Sequence, residues 1–126
     1  MHAAGLPREA RLRRAGDFAA MRQASGRFGG RCFSVRFRPN GLDHARLGMA
    51  VSRRVSKRAV ERNRIKRLLR ESFRHHRHRL PAFDVLVIAR ESATSLPGPA
   101  LLAEIEALWR RLPPLKPSDG PGTIAC

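Results

Sequence analysis

Between Ser52 and His78 the chain reads SRRVSKRAVERNRIKRLLRESFRHHRH, a stretch dense in Arg and Lys in which only Glu61 and Glu71 carry the opposite sign. On a helical wheel Ile65, Leu68, Leu69, Ser72 and Phe73 share one stripe. Asn63, Lys66, Arg67, Arg70 and Arg74 fall opposite it, with Arg62 and Arg64 at the two edges. The stripe must be buried against another layer, and the cationic row must face water or a polyanion. The segment therefore predicts a surface helix laid over a core.

The rest of the chain supplies that core. FDVLVIAR is a short, near-continuous apolar run and reads as a strand buried on both faces. RCFSVRFRP alternates, with Phe33, Val35 and Phe37 pointing one way and Ser34, Arg36 and Arg38 the other. That pattern predicts a half-buried strand with a basic outer face. Pro39-Asn40-Gly41 ends it and RLGMAVS reads as the next strand, so an antiparallel hairpin is expected. GDFAAMRQAS predicts a short helix with Asp17 as its N-cap, Phe18 and Met21 at i, i+3 spacing, and Ser25-Gly26 as its end. GPALLAEIEALWRRL opens with Pro99 near its first turn and repeats Leu101, Ile105, Leu108 and Leu112, with Leu102 and Trp109 beside them, which predicts a core-packing helix.

The element order expected is α-β-β-α-β-α. The fold class is α+β, a small α/β sandwich whose helices pack on one face of a central, mainly antiparallel sheet. Residues 1–15 are expected to form a loosely packed basic arm, residues 16–112 the domain, and residues 113–126 a disordered Pro/Gly-rich tail.

A chain of 126 residues supports one modest core. Its formal charge of +16 is self-repelling and points to a polyanionic partner, RNA, DNA or an anionic membrane surface. Three residues, Lys57, Lys66 and Lys116, are the only lysines, so Arg with its bidentate fork dominates. Cys32 and Cys126 have no C-x-x-C spacing, which suits a reduced compartment without a structural disulfide. The N-terminus has no apolar signal-peptide core, and VLVIA is far short of a membrane span. A cytoplasmic protein with no membrane partner is expected.

Catalytic chemistry has little to stand on. A metal-dependent protein nuclease needs clustered carboxylates, whereas the ten acids here are scattered. Glu61 and Glu71 sit among arginines, and Glu104 and Glu106 fall on different helix faces. His75, His76 and His78 lack an acidic or Cys partner nearby and read as a solvated basic helix end. No catalytic residue and no metal ligand is expected. The basic row differs from an ordinary solvated face, because Arg58, Arg62, Lys66 and Arg70 recur four apart with one sign, thickened by Arg67 and Arg74. Such spacing costs a few tenths of a kcal/mol per pair, and a nucleic acid is the natural reason to keep it. Charge alone leaves DNA open, since a basic helix can enter a major groove. The basic outer face of SVRFR adds a sheet platform of the kind single strands use, which favours RNA.

These residues resemble a known family. ERNRIKRLLRESFR is similar to the motif of the bacterial ribonuclease P protein subunit, with Arg62-Asn63-Arg64 followed by Ile65, Lys66, Arg67 and Arg70 in the family's places. LPREARLRRAGDF, RLGMAVSRRV, LPAFDVLVIAR and LLAEIEALWRRL follow the family in register, so the resemblance covers about residues 6 to 112 and not the tail. It implies a left-handed crossover through the basic helix between two parallel strands, against the usual hand. It also implies that Arg53, Arg54, Lys57 and Arg58 of the loop contact a catalytic RNA, together with Arg62, Asn63, Arg64, Lys66, Arg67 and Arg70. A cleft between the first helix and the sheet, at Phe18, Arg22, Phe33, Ser34 and Arg36, would hold the 5′ leader of precursor tRNA. The partners implied are ribonuclease P RNA and precursor tRNA, with a monomeric protein bound 1:1 to the RNA. The RNA, with Mg²⁺ held mainly by itself, would cut the leader. Phe18 matches a family aromatic, but Arg22 and Arg36 stand where aromatics are common, so leader contact is expected to be more ionic here. A structural RNA-binding protein of ribosomal type and a basic DNA-binding module remain as alternatives.

Overall fold

The computed structural model describes residues 6–114. Its regular elements are α1 (Ala15–Ala20), β1 (Gly26–Gly29), β2 (Phe33–Pro39), β3 (Arg46–Ala50), α2 (Ala59–His76), β4 (Phe83–Ala89) and α3 (Gly98–Arg111), with short 3-10 turns between several of them. The four strands form one sheet in the order β1-β2-β4-β3. β1 and β2 are antiparallel, as are β2 and β4, while β3 and β4 run parallel and are joined through α2. The α+β class and the mainly antiparallel sheet are as expected.

The predicted hairpin between β2 and β3 is not formed. β4 inserts between them, with Val35 opposite Val87 on one side and Leu47 opposite Val85 on the other. A strand apolar on both faces gains most in the sheet interior, where both edges are hydrogen-bonded and both faces covered. The Pro39-Asn40-Gly41 turn accordingly opens into a wider loop. Gly41 takes a φ of 70°, and the Asn40 carboxamide oxygen accepts the Leu42 N–H at 2.8 Å.

The real hairpin joins β2 to β1, a strand absent from the sequence reading. Gly26–Gly29 contributes one apolar side chain, Phe28, so it shows no alternation to detect. Its glycine is nonetheless specific, since a Cβ on Gly26 would collide with the Phe37 ring.

Two layers cover the sheet. Val35, Phe37, Val85 and Val87 face α2 and α3 in the main core, joined there by Ile65, Leu69, Phe73, Leu101, Ile105 and Trp109. On the other face Leu86 packs with Leu12 and Met21, flanked by Ala50 and Ile88. Helical and N-terminal segments thus lie on both faces, not one, as the two-sided burial of β4 requires. The N-terminal segment is also not a loose arm from Leu6 onward. Leu6 and Ala10 are buried in the main core, and the Leu12 N–H donates to the Leu47 carbonyl at 2.9 Å. Cys32 is fully buried as a free thiol. Cys126 and the expected tail from residue 115 lie outside the described residues.

The helices follow their patterns closely. α2 buries Ile65, Leu69, Ser72 and Phe73, and α3 buries Leu101, Ile105, Leu108 and Trp109. Ser72 is the one hydroxyl on the apolar stripe, and its Oγ accepts the buried Trp109 indole N–H at 2.8 Å. The Trp109 ring meets Phe73 edge-on, centroids 5.5 Å apart. Replacing Ser72 by Ala should leave that indole N–H without a partner and cost roughly 1–3 kcal/mol. Urea denaturation of Ser72→Ala, Trp109→Phe and the double variant checks this. The Ser72→Ala cost should largely vanish once Trp109 is Phe, and a cost that persists would show that the bond is not its origin.

Candidate nucleic-acid interface

The first cationic surface is built from the loop after β3 and the outer side of α2. Val51 and Val55 are buried and anchor the loop, which leaves Ser52, Arg53, Arg54 and Lys57 exposed. Ser56 organises its end. The Ser56 hydroxyl donates to Glu61 Oε1 at 2.5 Å and accepts the Arg58 N–H at 3.1 Å. Arg62 then reaches back, its Nη1 donating to the carbonyls of Ser56 and Lys57, each at 3.0 Å. Arg64 does the same in another direction, giving Nη2 to the Leu96 carbonyl at 3.2 Å. Carbonyls neutralise nothing, so both guanidinium groups keep their charge and their remaining N–H donors.

Asn63 and Arg67 are exposed along the helix, and Lys66 and Arg70 are half-buried beside them. Arg58 lies 3.9 Å from Glu61 but is largely exposed. Arg74 was expected to thicken the row, yet it pairs with Glu71 at 3.1 Å, and His75 approaches the same carboxylate at 3.8 Å. The one-signed surface therefore ends at Arg70.

The second surface is the sheet face opposite the main core. Strand register places Arg27, Arg36, Leu86 and Gly48 in one row across the sheet, with Gly29, Ser34, Ile88 and Ala50 in the next. α1 lies over the Gly48 end. A Cβ on Gly48 would come within 2.8 Å of Leu12 Cδ1 and 3.0 Å of Phe18 Cε1, so the glycine lets both side chains settle on β3. Phe18 remains 37% exposed there. Arg22 is exposed on the 3-10 turn that continues α1, and Ser34 and Arg36 are half-buried. Phe33 does not belong to this surface. It is 1% exposed in the main core on the opposite face, as its parity with Val35 and Phe37 dictates.

Polar ties at both ends hold α1 on the sheet. Arg38, on the parity of Arg36, donates from Nη1 to the Ala20 carbonyl at 3.3 Å. At the other end Arg46 forms a two-pronged pair with the buried Asp84, Nε to Oδ1 and Nη2 to Oδ2, both at 2.7 Å. Asn40 Nδ2 donates to the same carboxylate at 3.0 Å. Arg46 Nη2 also lies 3.6 Å from Asp17 Oδ1. Asp17 sits at the third position of α1 rather than at its cap, and its Oδ2 accepts the N–H groups of Arg14 at 3.1 Å and Arg13 at 3.2 Å. The sequence reading missed Arg27, Arg38 and Arg46 as site residues. Arg27 lay in the unseen strand, whereas an acid inside the apolar FDVLVIA was a usable signal that Asp84 needed a cation.

Among the described residues no three His, Cys, Asp or Glu side chains gather to hold a metal ion. Asp17, Asp84, Glu61 and Glu71 are each turned toward a cation or a hydrogen-bond donor of the chain itself. This donor set does not fit a resident Mg²⁺. No described helix is long and apolar enough to cross a membrane.

A family model described as Ribonuclease P matches residues 6–113. The chain belongs to the ribonuclease P protein family. The ribonuclease P protein component of Chromohalobacter salexigens is 44% identical over 109 residues, covering 86% of this chain and 85% of the relative. That of Pseudomonas aeruginosa is 40% identical over 121 residues, covering 91% and 90%. The RNase P protein structure from Staphylococcus aureus superposes with a TM-score of 0.75 at 32% identity, over 80% of this chain and 93% of that one. The Thermotoga maritima RNase P protein gives 0.73 at 31% identity, over 82% and 97%. Membership makes the chain a protein component of a tRNA-processing ribonucleoprotein nuclease.

The Arg14 N–H foremost, with that of Arg13 and the Arg46 guanidinium, holds the Asp17 carboxyl below its ordinary 3.8 against the opposing effect of burial. A carboxyl depressed in the folded state contributes stability that is present above its unfolded value and lost as the pH falls through the folded one. The difference in Tm between the wild type and Asp17→Asn should therefore be steady from about pH 5 to 8 and close below about pH 4. Thermal melts across that range check it, and a gap that stays open at the acid end would contradict the assignment.

Proposed function

We propose that this chain binds the catalytic RNA of ribonuclease P through the loop before α2 and the α2 row, and the 5′ leader of precursor tRNA through the sheet face beside α1. The observation that carries the reading is the presence of two separate cationic surfaces on one frame. Arg53, Arg54, Lys57, Arg58, Asn63, Lys66, Arg67 and Arg70 form the first, with Arg62 holding the end of the loop and Arg64 tying α2 to Leu96, both keeping their charge. Phe18, Arg22, Ser34 and Arg36 form the second, and Arg27 extends it across β1. One surface suits the backbone of a folded RNA, read by phosphate contacts and shape. The other offers one aromatic platform among arginines, as a single strand needs.

In this reading the RNA carries the chemistry and supplies the oxygen ligands for Mg²⁺. The protein contributes affinity, positioning and charge screening, one copy per RNA, in the cytoplasm. The acids turned inward at Asp17, Asp84, Glu61 and Glu71 support that division. The decisive experiment adds the protein to a ribonuclease P RNA and precursor tRNA at low Mg²⁺. Leader removal should be restored, whereas cleavage unchanged by the protein would favour a structural RNA-binding role. Arg62→Ala/Arg64→Ala should weaken assembly with the RNA more than leader binding, and the reverse order would overturn the division between the surfaces.

Leader affinity should also depend on salt through Arg22 and Arg36, which are cations at positions where aromatics are common in the family. In Arg22→Ala/Arg36→Ala the slope of log affinity against log salt should flatten by roughly 0.7 for each phosphate that is no longer neutralised. A double variant with the wild-type slope would remove both residues from the leader site.

A further inference from the structure

A cavity of about 250 Å³ opens where the N-terminal segment meets α1, and five arginines line it: Arg8, Arg11, Arg13, Arg14 and Arg46. Two acids share the lining, Glu9 and Asp17. Arg46 and Asp17 are already engaged, with Asp84 and with the main-chain N–H groups of Arg13 and Arg14. Arg11 gives its Nε to the Leu6 carbonyl at 2.9 Å. Arg8, Arg13 and Arg14 form no ion pair with any described residue. The backbone that carries them is fixed. Ala10 and Leu12 are buried on either side of Arg11, and the backbone there bridges to Leu47 of β3. Three exposed guanidinium groups with no ion-pair partner among the described residues thus project from a fixed backbone around one concavity, and their like charges favour entry of an anion.

We propose that this cavity is a phosphate site that takes a backbone phosphodiester of the precursor-tRNA leader. The inference rests on the leader reading above and extends it to residues outside the sheet face. Its size admits one phosphate group with water, and the arginine forks match phosphate oxygens. The leader is the favoured source over the catalytic RNA because Asp17, in the wall of the cavity, directly precedes Phe18 on α1. A strand crossing Phe18 reaches this site within a short step of backbone, whereas the α2 row lies across the sheet. Glu9 on the lining is a built-in opponent of the bound charge.

The test measures binding of the holoenzyme to precursor tRNAs whose leaders are lengthened one nucleotide at a time. Wild type should show a step in affinity when the leader becomes long enough to place a phosphate in the cavity. Arg13→Ala/Arg14→Ala should lose that step, roughly three- to tenfold, while binding leaderless tRNA as wild type does. The Asp17 cap survives these substitutions because it uses main-chain N–H groups. Glu9→Gln should enlarge the same step, and this second variant keeps the proposal testable if the double variant folds poorly. A loss equal at every leader length would assign the arginines to the RNA subunit or the tRNA body, and no loss would mean a solvated cluster. Either result overturns the proposal. A wild-type holoenzyme indifferent to leader length would instead defeat the leader reading itself, and this site with it.

Discussion

The double-sided burial of β4 is the constraint from which the architecture follows. Phe83, Val85, Val87 and Ala89 complete the main core under α2 and α3, while Leu86 seats Leu12 and Met21 on the other face. A strand that is apolar on both sides must be central, so β2 and β3 are forced apart and the crossover through α2 brings β3 alongside in parallel. The exception within β4 is equally consequential. Asp84 is 4% exposed in an otherwise apolar strand, and a buried carboxylate is tolerable only when paired and hydrogen-bonded. Arg46 and Asn40 satisfy it, and Arg46 then has a second face to offer Asp17. The core thereby fixes where α1 sits, and with it the position of Phe18.

Positioning and contact are separable on the α2 side as well. Arg62 gives its donors to carbonyls of the loop carrying Arg53, Arg54 and Lys57, and Arg64 gives one to Leu96, tying α2 to the segment before α3. A guanidinium suits this double duty because it has five donors and does not lose its charge. A lysine at either place could hold one carbonyl but could not also present a planar fork outward. This gives a physical reason for Arg at both ends of the Arg-Asn-Arg triplet that does not depend on direct RNA contact alone.

Features with a strong period were legible in the sequence, and features set by a single neighbour were not. The stripe of α2, the repeat of α3 and the parity of β2 all emerged intact, because burial imposes 3.6 or 2 on many residues at once. Phe33 could have been excluded from the proposed leader surface by that same parity, since it shares a face with Val35 and Phe37. β1 was illegible, because four residues with one apolar side chain carry no period and its place depends on Phe37 fitting against Gly26. The hairpin expected of Pro39-Asn40-Gly41 failed for a different reason. Local turn chemistry was real, but the demand of β4 for two neighbours outweighed it. The N-terminal segment looked like a solvated arm because its arginines dominate, while Leu6, Ala10 and Leu12 supply the burial from a segment whose one regular element is the 3-10 turn Arg8–Ala10.

The charge of the chain is sorted as well as large. Asp17, Asp84, Glu61 and Glu71 all face donors within the protein, where they pin α1, the loop before α2 and the end of the basic helix. Acids used this way cannot gather around a metal ion, and they cannot dilute the outward field except at their own sites. The two properties have one cause. In a small domain with a formal charge of +16, these four carboxylates sit where burial and repulsion are most costly, inside and at element ends, while Glu9, Asp43 and Glu91 stay exposed. The two surfaces described above are cationic on opposite sides of the sheet, and such surfaces gain from association with a polyanion through the release of counterions. On the function proposed above, a subunit built on these terms brings cationic surface to the complex, and its inward-paired carboxylates serve its own fold.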